Sequence, residues 1–96
     1  MQIINITYKV PLNEVDEHLL PHREFLDKQY DAGNFLASGP KTPRDGGVIL
    51  STGKVSLDEL HEILKSDPFY IHDIADYQVV DFTPVKHQSI LEGIIK

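Results

Sequence analysis

Cysteine is absent from the 96 residues, which excludes disulfides, thiolate nucleophiles and thiolate metal ligands together and suits a reducing compartment. Cations are scarce as well: nine Lys and Arg stand against fifteen Asp and Glu, a formal charge of −6. That balance opposes the counterion release that dominates nucleic-acid affinity. No apolar run approaches the roughly 20 residues that span a bilayer. After Met1 the chain turns directly to strand-like sequence, with no basic segment and apolar stretch of the kind that marks a secretory signal. Neither G-x-G-x-x-G nor G-x-x-x-x-G-K occurs, so no nucleotide-phosphate loop, and with it no cofactor, is expected. Repeats, linkers and low-complexity tracts are missing too. What remains is a cytoplasmic protein whose partner is a small molecule rather than a nucleic acid or a membrane.

What is present suffices for one folded unit spanning 1–96. Hydrophobic residues make up 41% and charged residues 25%, near globular averages, and the length fits a single domain. Residues 2 to 10 alternate, with Ile4, Ile6, Tyr8 and Val10 on one face: a strand. Asn13 is placed to cap a short turn through Val15 and His18. Pro21 fits the first turn of a main helix better than its interior. From His22 that helix runs to Ala32, with Gly33 where a left-handed C-cap belongs. His22, Phe25, Leu26 and Gln29 share its inward face.

Phe35 to Gly39 reads as a second strand and Gly47 to Thr52 as a third, joined by a Pro- and Gly-rich loop over 40–46. Ser56 and Glu59 form a capping box for a second helix with the stripe Leu57, Leu60, Ile63 and Leu64. Asp67 and Pro68 end it, or restart a brief turn through Ile71. Tyr77 to Phe82 is a fourth strand, in which Tyr77 packs into the sheet. The order β-α-β-β-α-β is the split arrangement of an α+β, ferredoxin-like protomer. In the tail, Ile90, Leu91, Ile94 and Ile95 recur at helical spacing, although Gly93 interrupts them. Apolar residues fall on both faces of the sheet, so the face away from the helices needs a cover, and a second copy of the chain is the economical one.

The residues with chemistry are His22, a minimal proton-transfer unit once it has a carboxylate partner, and Asp67, which lies 45 positions later. Ser38, Gly39 and Pro40 leave the second strand beside them. Lys41 and Arg44, three apart, suit one carboxylate or phosphate. Each has a plainer reading: a histidine near a helix start, a helix cap at Asp67, a strand exit at Ser38, Gly39 and Pro40, a solvated loop at Lys41 and Arg44. His18 and His22 are four apart and, with Asp67, form a rival metal-ligand set, but Pro21 between them breaks the helical register. No metal is therefore expected. A Ser38 hydrolase lacks the G-x-S-x-G elbow.

The succession HREFL, FLASGPK, PRDGG, DPF and a closing strand with Phe82 and Pro84 resembles the YciI-like (YCII-related) proteins over residues 3 to 86. The resemblance implies a dimeric α+β barrel and an active site on a His and Asp pair, at His22 and Asp67, with Ser38 at a polar position lining the same cleft. Barrel relatives similar to muconolactone isomerase imply small cyclic or aromatic substrates. The combined expectation is a homodimeric lyase or isomerase using His22 as general acid or base on a small anionic ring compound. The alternative is a dimeric ligand-binding or accessory protein in which His22 only walls a pocket.

Overall fold

The computed structural model describes all 96 residues. Strand β1 (Gln2–Tyr8) is followed by α1 (Leu12–Glu17), α2 (Leu19–Asp31), β2 (Phe35–Pro40), β3 (Gly46–Ser51), α3 (Leu57–Leu64), α4 (Pro68–Ile71) and β4 (Ala75–Asp81). All pairings are antiparallel, and the strand order β2-β3-β1-β4 is that of the ferredoxin-like fold.

Register follows from alternation. Ile4 stands opposite Ile49 on one side and Val79 on the other, so the buried residues of β1 and their partners share one face. The helices cover that face, and the core there gathers Ile4, Ile6, Ile49, Phe25, Phe35, Leu60, Leu64 and Phe69. The opposite face carries Ile3, Val48, Leu50 and Val80. Val80 is 57% exposed in the single chain.

Helix α2 starts at Leu19, three residues before His22, where the sequence reading begins it. Pro21 is its third residue, inside the first turn as read from sequence, where a missing N–H forfeits no intrahelical bond. Gly33 follows the helix at φ 76°, the left-handed value a side chain would resist. The Ser56 hydroxyl accepts the Glu59 N–H at 3.2 Å and meets Glu59 Oε1 at 3.3 Å, so the capping residues are as expected. A Cβ on Gly46 would lie 1.8 Å from the Ile6 carbonyl oxygen, which accounts for glycine where the 40–46 loop rejoins the sheet.

Strand and helix ends shift by one to three residues from the sequence reading, and three differences have a local cause. Asn13 lies inside α1; Pro11 holds the N-cap position, because its extended φ and ψ already deliver the chain into the turn. The fourth strand begins at Ala75, paired with Tyr8, since Asp73 at φ 55° reverses the chain just after α4. The tail forms only a 3-10 turn at Ser89–Leu91. Leu91 and Ile95 are half-buried and the Lys96 N–H bonds the Thr52 carbonyl at 2.6 Å, while Ile90 stays 79% exposed.

Candidate active site

Asp67 is the N-cap of α4. Its Oδ1 accepts the Phe69 N–H at 3.0 Å, and Pro68 fills the first helical position. The same Oδ1 lies 2.7 Å from Nδ1 of His22, which the first turn of α2 aims at the sheet. Its Oδ2 accepts the Tyr77 hydroxyl at 2.5 Å. Asp67 is fully buried and His22 only 8% exposed. The imidazole lies flat on Phe69, with centroids 3.9 Å apart and planes 3° from parallel, which fixes the ring's orientation. The chain thus brings together two residues 45 positions apart, and the cap and the imidazole share one carboxylate oxygen.

With Nδ1 of His22 held against the carboxylate, Nε2 is the ring nitrogen that faces away from Asp67. Nε2 has no protein partner, and no buried side-chain nitrogen or oxygen lacks one; it therefore opens onto the adjoining cleft. Burial, reinforced by the charge of Asp67, holds the Tyr77 hydroxyl protonated far above the usual phenol range. Tyr77 is thus a fixed donor that keeps Oδ2 occupied.

The cleft lies between α2 and the β2–β3 edge of the sheet and encloses about 430 Å³, a size that takes a small ring compound. Helix α2 contributes Leu19, His22, Arg23 and Leu26, an i, i+3, i+4, i+7 face. Ile6, Tyr8, Ile49 and Phe69 supply apolar walls. Gly47 and Ser38 line it with little or no side chain; a Cβ on Gly47 would lie 3.0 Å from the Gly39 carbonyl oxygen of the neighbouring strand.

Of the expected ligand-binding residues, Ser38, Gly39, Pro40 and Arg44 line this cleft. Ser38 bonds Tyr30 Oη at 2.6 Å. Arg44 is tied to Asp16 at 2.6 Å. Lys41 does not reach the cleft: its Nζ lies 3.3 Å from the Thr7 hydroxyl, on the opposite face of the sheet. The lysine points outward because Lys41 N–H bonds Gly46 O at the end of the β2–β3 ladder, where side-chain direction follows strand alternation. His18 stacks on His72 at 4.3 Å instead of joining His22, and no three ligand-type side chains converge anywhere in the chain.

Three residues at the site went unassigned in the sequence reading: Tyr77, Arg23 and Phe69. The signals were present but mute. Alternation along β4 puts Tyr77 on the helix-covered face, and Arg23 is four residues after Leu19, yet neither pattern separates a packing residue from a polar partner.

The chain is an antiparallel ferredoxin-like sheet with a buried imidazole–carboxylate pair at one end of a largely apolar cleft. The YCII-related domain family matches residues 1–83, and the chain belongs to that family. Among solved structures, it is similar to 5-chloro-2-hydroxyhydroquinone dehydrochlorinase from Burkholderia phenoliruptrix, solved in complex with 2,5-dihydroxybenzoquinone. The two share 17% identity over 86% of this chain and 94% of that one, with a TM-score of 0.70. At that identity the likeness is one of fold. No curated protein matches the chain.

Proposed function

We propose that this protein is a homodimeric lyase or isomerase that moves a proton on a small hydroxylated, anionic ring compound, with His22 as general base and acid. The observation that carries the reading is the 2.7 Å bond from the buried Asp67 to Nδ1 of His22, which leaves Nε2 free to accept a proton from a ligand in the cleft. Asp67 stabilises the imidazolium so formed, and Tyr77 and the Phe69 N–H hold the carboxylate in place. In an elimination, Nε2 takes a proton from carbon, the C–H electron pair becomes the new double bond, and the leaving group departs with its own pair. In an isomerisation the imidazolium returns the proton to another carbon. The dehydrochlorinase that shares the fold acts on a hydroxylated, chlorinated ring compound, as its name states, which supports a hydroxylated ring as the substrate class.

The homodimer rests on the apolar face bearing Ile3, Val48, Leu50 and Val80, at roughly 25 cal/mol per Å² removed from water.

The experiment is turnover of chlorinated and unchlorinated hydroxyhydroquinones in deuterium oxide, following halide release and deuterium incorporation. Proton transfer by the natural chain, lost about 10²-fold or more in His22→Ala, is the expected result. Ring compounds that bind with no halide release and no deuterium incorporation would favour the binding-protein reading instead.

A further inference from the structure

Resting on the reading of this cleft as a site for a ring compound, we propose that Arg23 is its anion-recognising residue and that its ligand is a planar, charge-delocalised oxyanion held beside Nε2 of His22. None of the 14 residues lining the cleft is acidic, although Asp and Glu outnumber Lys and Arg fifteen to nine in the chain. The acid nearest the chemistry, Asp67, sits behind the His22 ring and is already bonded three times. Two arginines line the cleft, Arg23 and Arg44, and they are not equivalent. Arg44 is held by Asp16 at 2.6 Å, so much of its charge is already matched. Arg23 makes no ion pair and no side-chain hydrogen bond in a structure whose lysine and arginine ion pairs engage Lys9, Arg44 and Lys65.

Position strengthens the assignment. Arg23, itself exposed, adjoins the buried His22 on the helix face that lines the cleft, so one ligand can meet both residues. A flat guanidinium fork matches the two oxygens of a carboxylate or of adjacent ring oxyanions better than a point charge does. An oxyanion neutralised there also acidifies the neighbouring carbon from which Nε2 removes its proton. Arg23 therefore sets which compounds enter in productive register, a task the sequence reading gave to Lys41 and Arg44.

The test is calorimetric binding of two probes, 2,5-dihydroxybenzoquinone as a ring oxyanion and 2,5-dihydroxybenzoate as a carboxylate, to the natural chain, Arg23→Met, Arg23→Lys and Arg44→Met. Arg23→Met is expected to weaken binding roughly 10- to 100-fold, the range for a lost charge-assisted bond. Arg23→Lys recovers only part of it, Arg44→Met loses less than Arg23→Met, and the natural chain's affinity falls with added salt. Whichever probe shows the larger Arg23 dependence identifies the oxyanion. Melting temperatures of the variants near that of the natural chain exclude a folding cause. Equal binding by Arg23→Met and the natural chain overturns the assignment. So does failure of both probes to bind the natural chain at millimolar concentration, while deuterium incorporation into a neutral hydroxylated substrate would keep the proton-transfer reading standing.

Discussion

Replacing Asp67 by Asn separates charge from shape. The amide is isosteric, so no cavity opens. Its oxygen can accept from His22 Nδ1 and the Phe69 N–H, as Oδ1 does now at 2.7 and 3.0 Å. Its NH₂ must then face the Tyr77 hydroxyl, now 2.5 Å from Oδ2, and that phenol loses its acceptor. A buried donor without a partner costs about 1–3 kcal/mol, a fall in Tm of roughly 4–8 °C per kcal/mol for a domain of this size. Kinetics should suffer more. A carboxylate about 4 Å from an imidazolium contributes on the order of 4 kcal/mol at an effective dielectric of 20, and each 1.4 kcal/mol is about tenfold in rate. Asp67→Asn is therefore expected to slow proton transfer about 10²- to 10³-fold. Asp67→Ser provides the complement: serine preserves a good N-cap for α4 but is too short to bond His22, so it should lose at least as much activity. Halide release or deuterium incorporation measured beside circular-dichroism melts checks both. A lowered Tm with turnover within threefold of the natural chain would show that Asp67 is a cap and nothing more, and the proposed pair would fall.

The other expectations are briefer. Because burial raises the Tyr77 phenol above its unfolded value of about 10, the unfolded chain loses that proton first as pH rises; stability is full below pH 10 and should then fall by about 1.4 kcal/mol per pH unit. Denaturant melts of Tyr77→Phe should show a shallower alkaline slope, and identical slopes would remove the buried phenol from the account. Val80→Asp, on the uncovered sheet face, is expected to halve the particle mass in light scattering from twice 10.9 kDa; an unchanged mass would move the interface elsewhere. Ser56→Ala should lower stability by about 1 kcal/mol through loss of the Glu59 N–H cap, read by urea unfolding. Chelators should leave turnover unchanged, because Nδ1 of His22 is engaged by Asp67 and His18 is stacked on His72; activity lost to chelator and restored by zinc would reverse this.

Local physics was legible in the chain. Alternation in Ile4, Ile6 and Tyr8, the left-handed stop at Gly33, the Ser56 cap and the Asp67-Pro68 start each express a rule acting over a few residues, and each appears at its place. The His22–Asp67 bond was legible at one remove: the first turn of α2 and the α4 cap both face the sheet in this topology, which makes the meeting possible. Side-chain partners set by tertiary packing were not. Arg44 finds Asp16 across 28 positions, and Tyr77 finds Asp67 from a neighbouring strand. Lys41, though three residues from Arg44, points to the other face because strand alternation, not sequence distance, decides where a side chain emerges.

The two faces of the sheet therefore carry different parts of the argument. On the covered face, packing opens into a cleft where Gly47 and Ser38 meet the Leu19, His22, Arg23 and Leu26 face of α2. A fold that maximised burial would fill that gap with large side chains, as at Ile6 and Ile49 next to it. Leaving it open forfeits apolar contacts and keeps an imidazole beside an accessible space, a combination that burial alone does not favour. On the other face, apolar side chains remain where a lone sheet would be expected to place polar ones. The first departure from optimal packing is accounted for by a ligand and the second by a second copy of the chain, and neither accounts for the other. The cleft and the proposed interface can thus be disrupted separately: a charge at Val80 should separate subunits without entering the cleft, and a substitution at Arg23 should alter ligand binding without reaching the bare face.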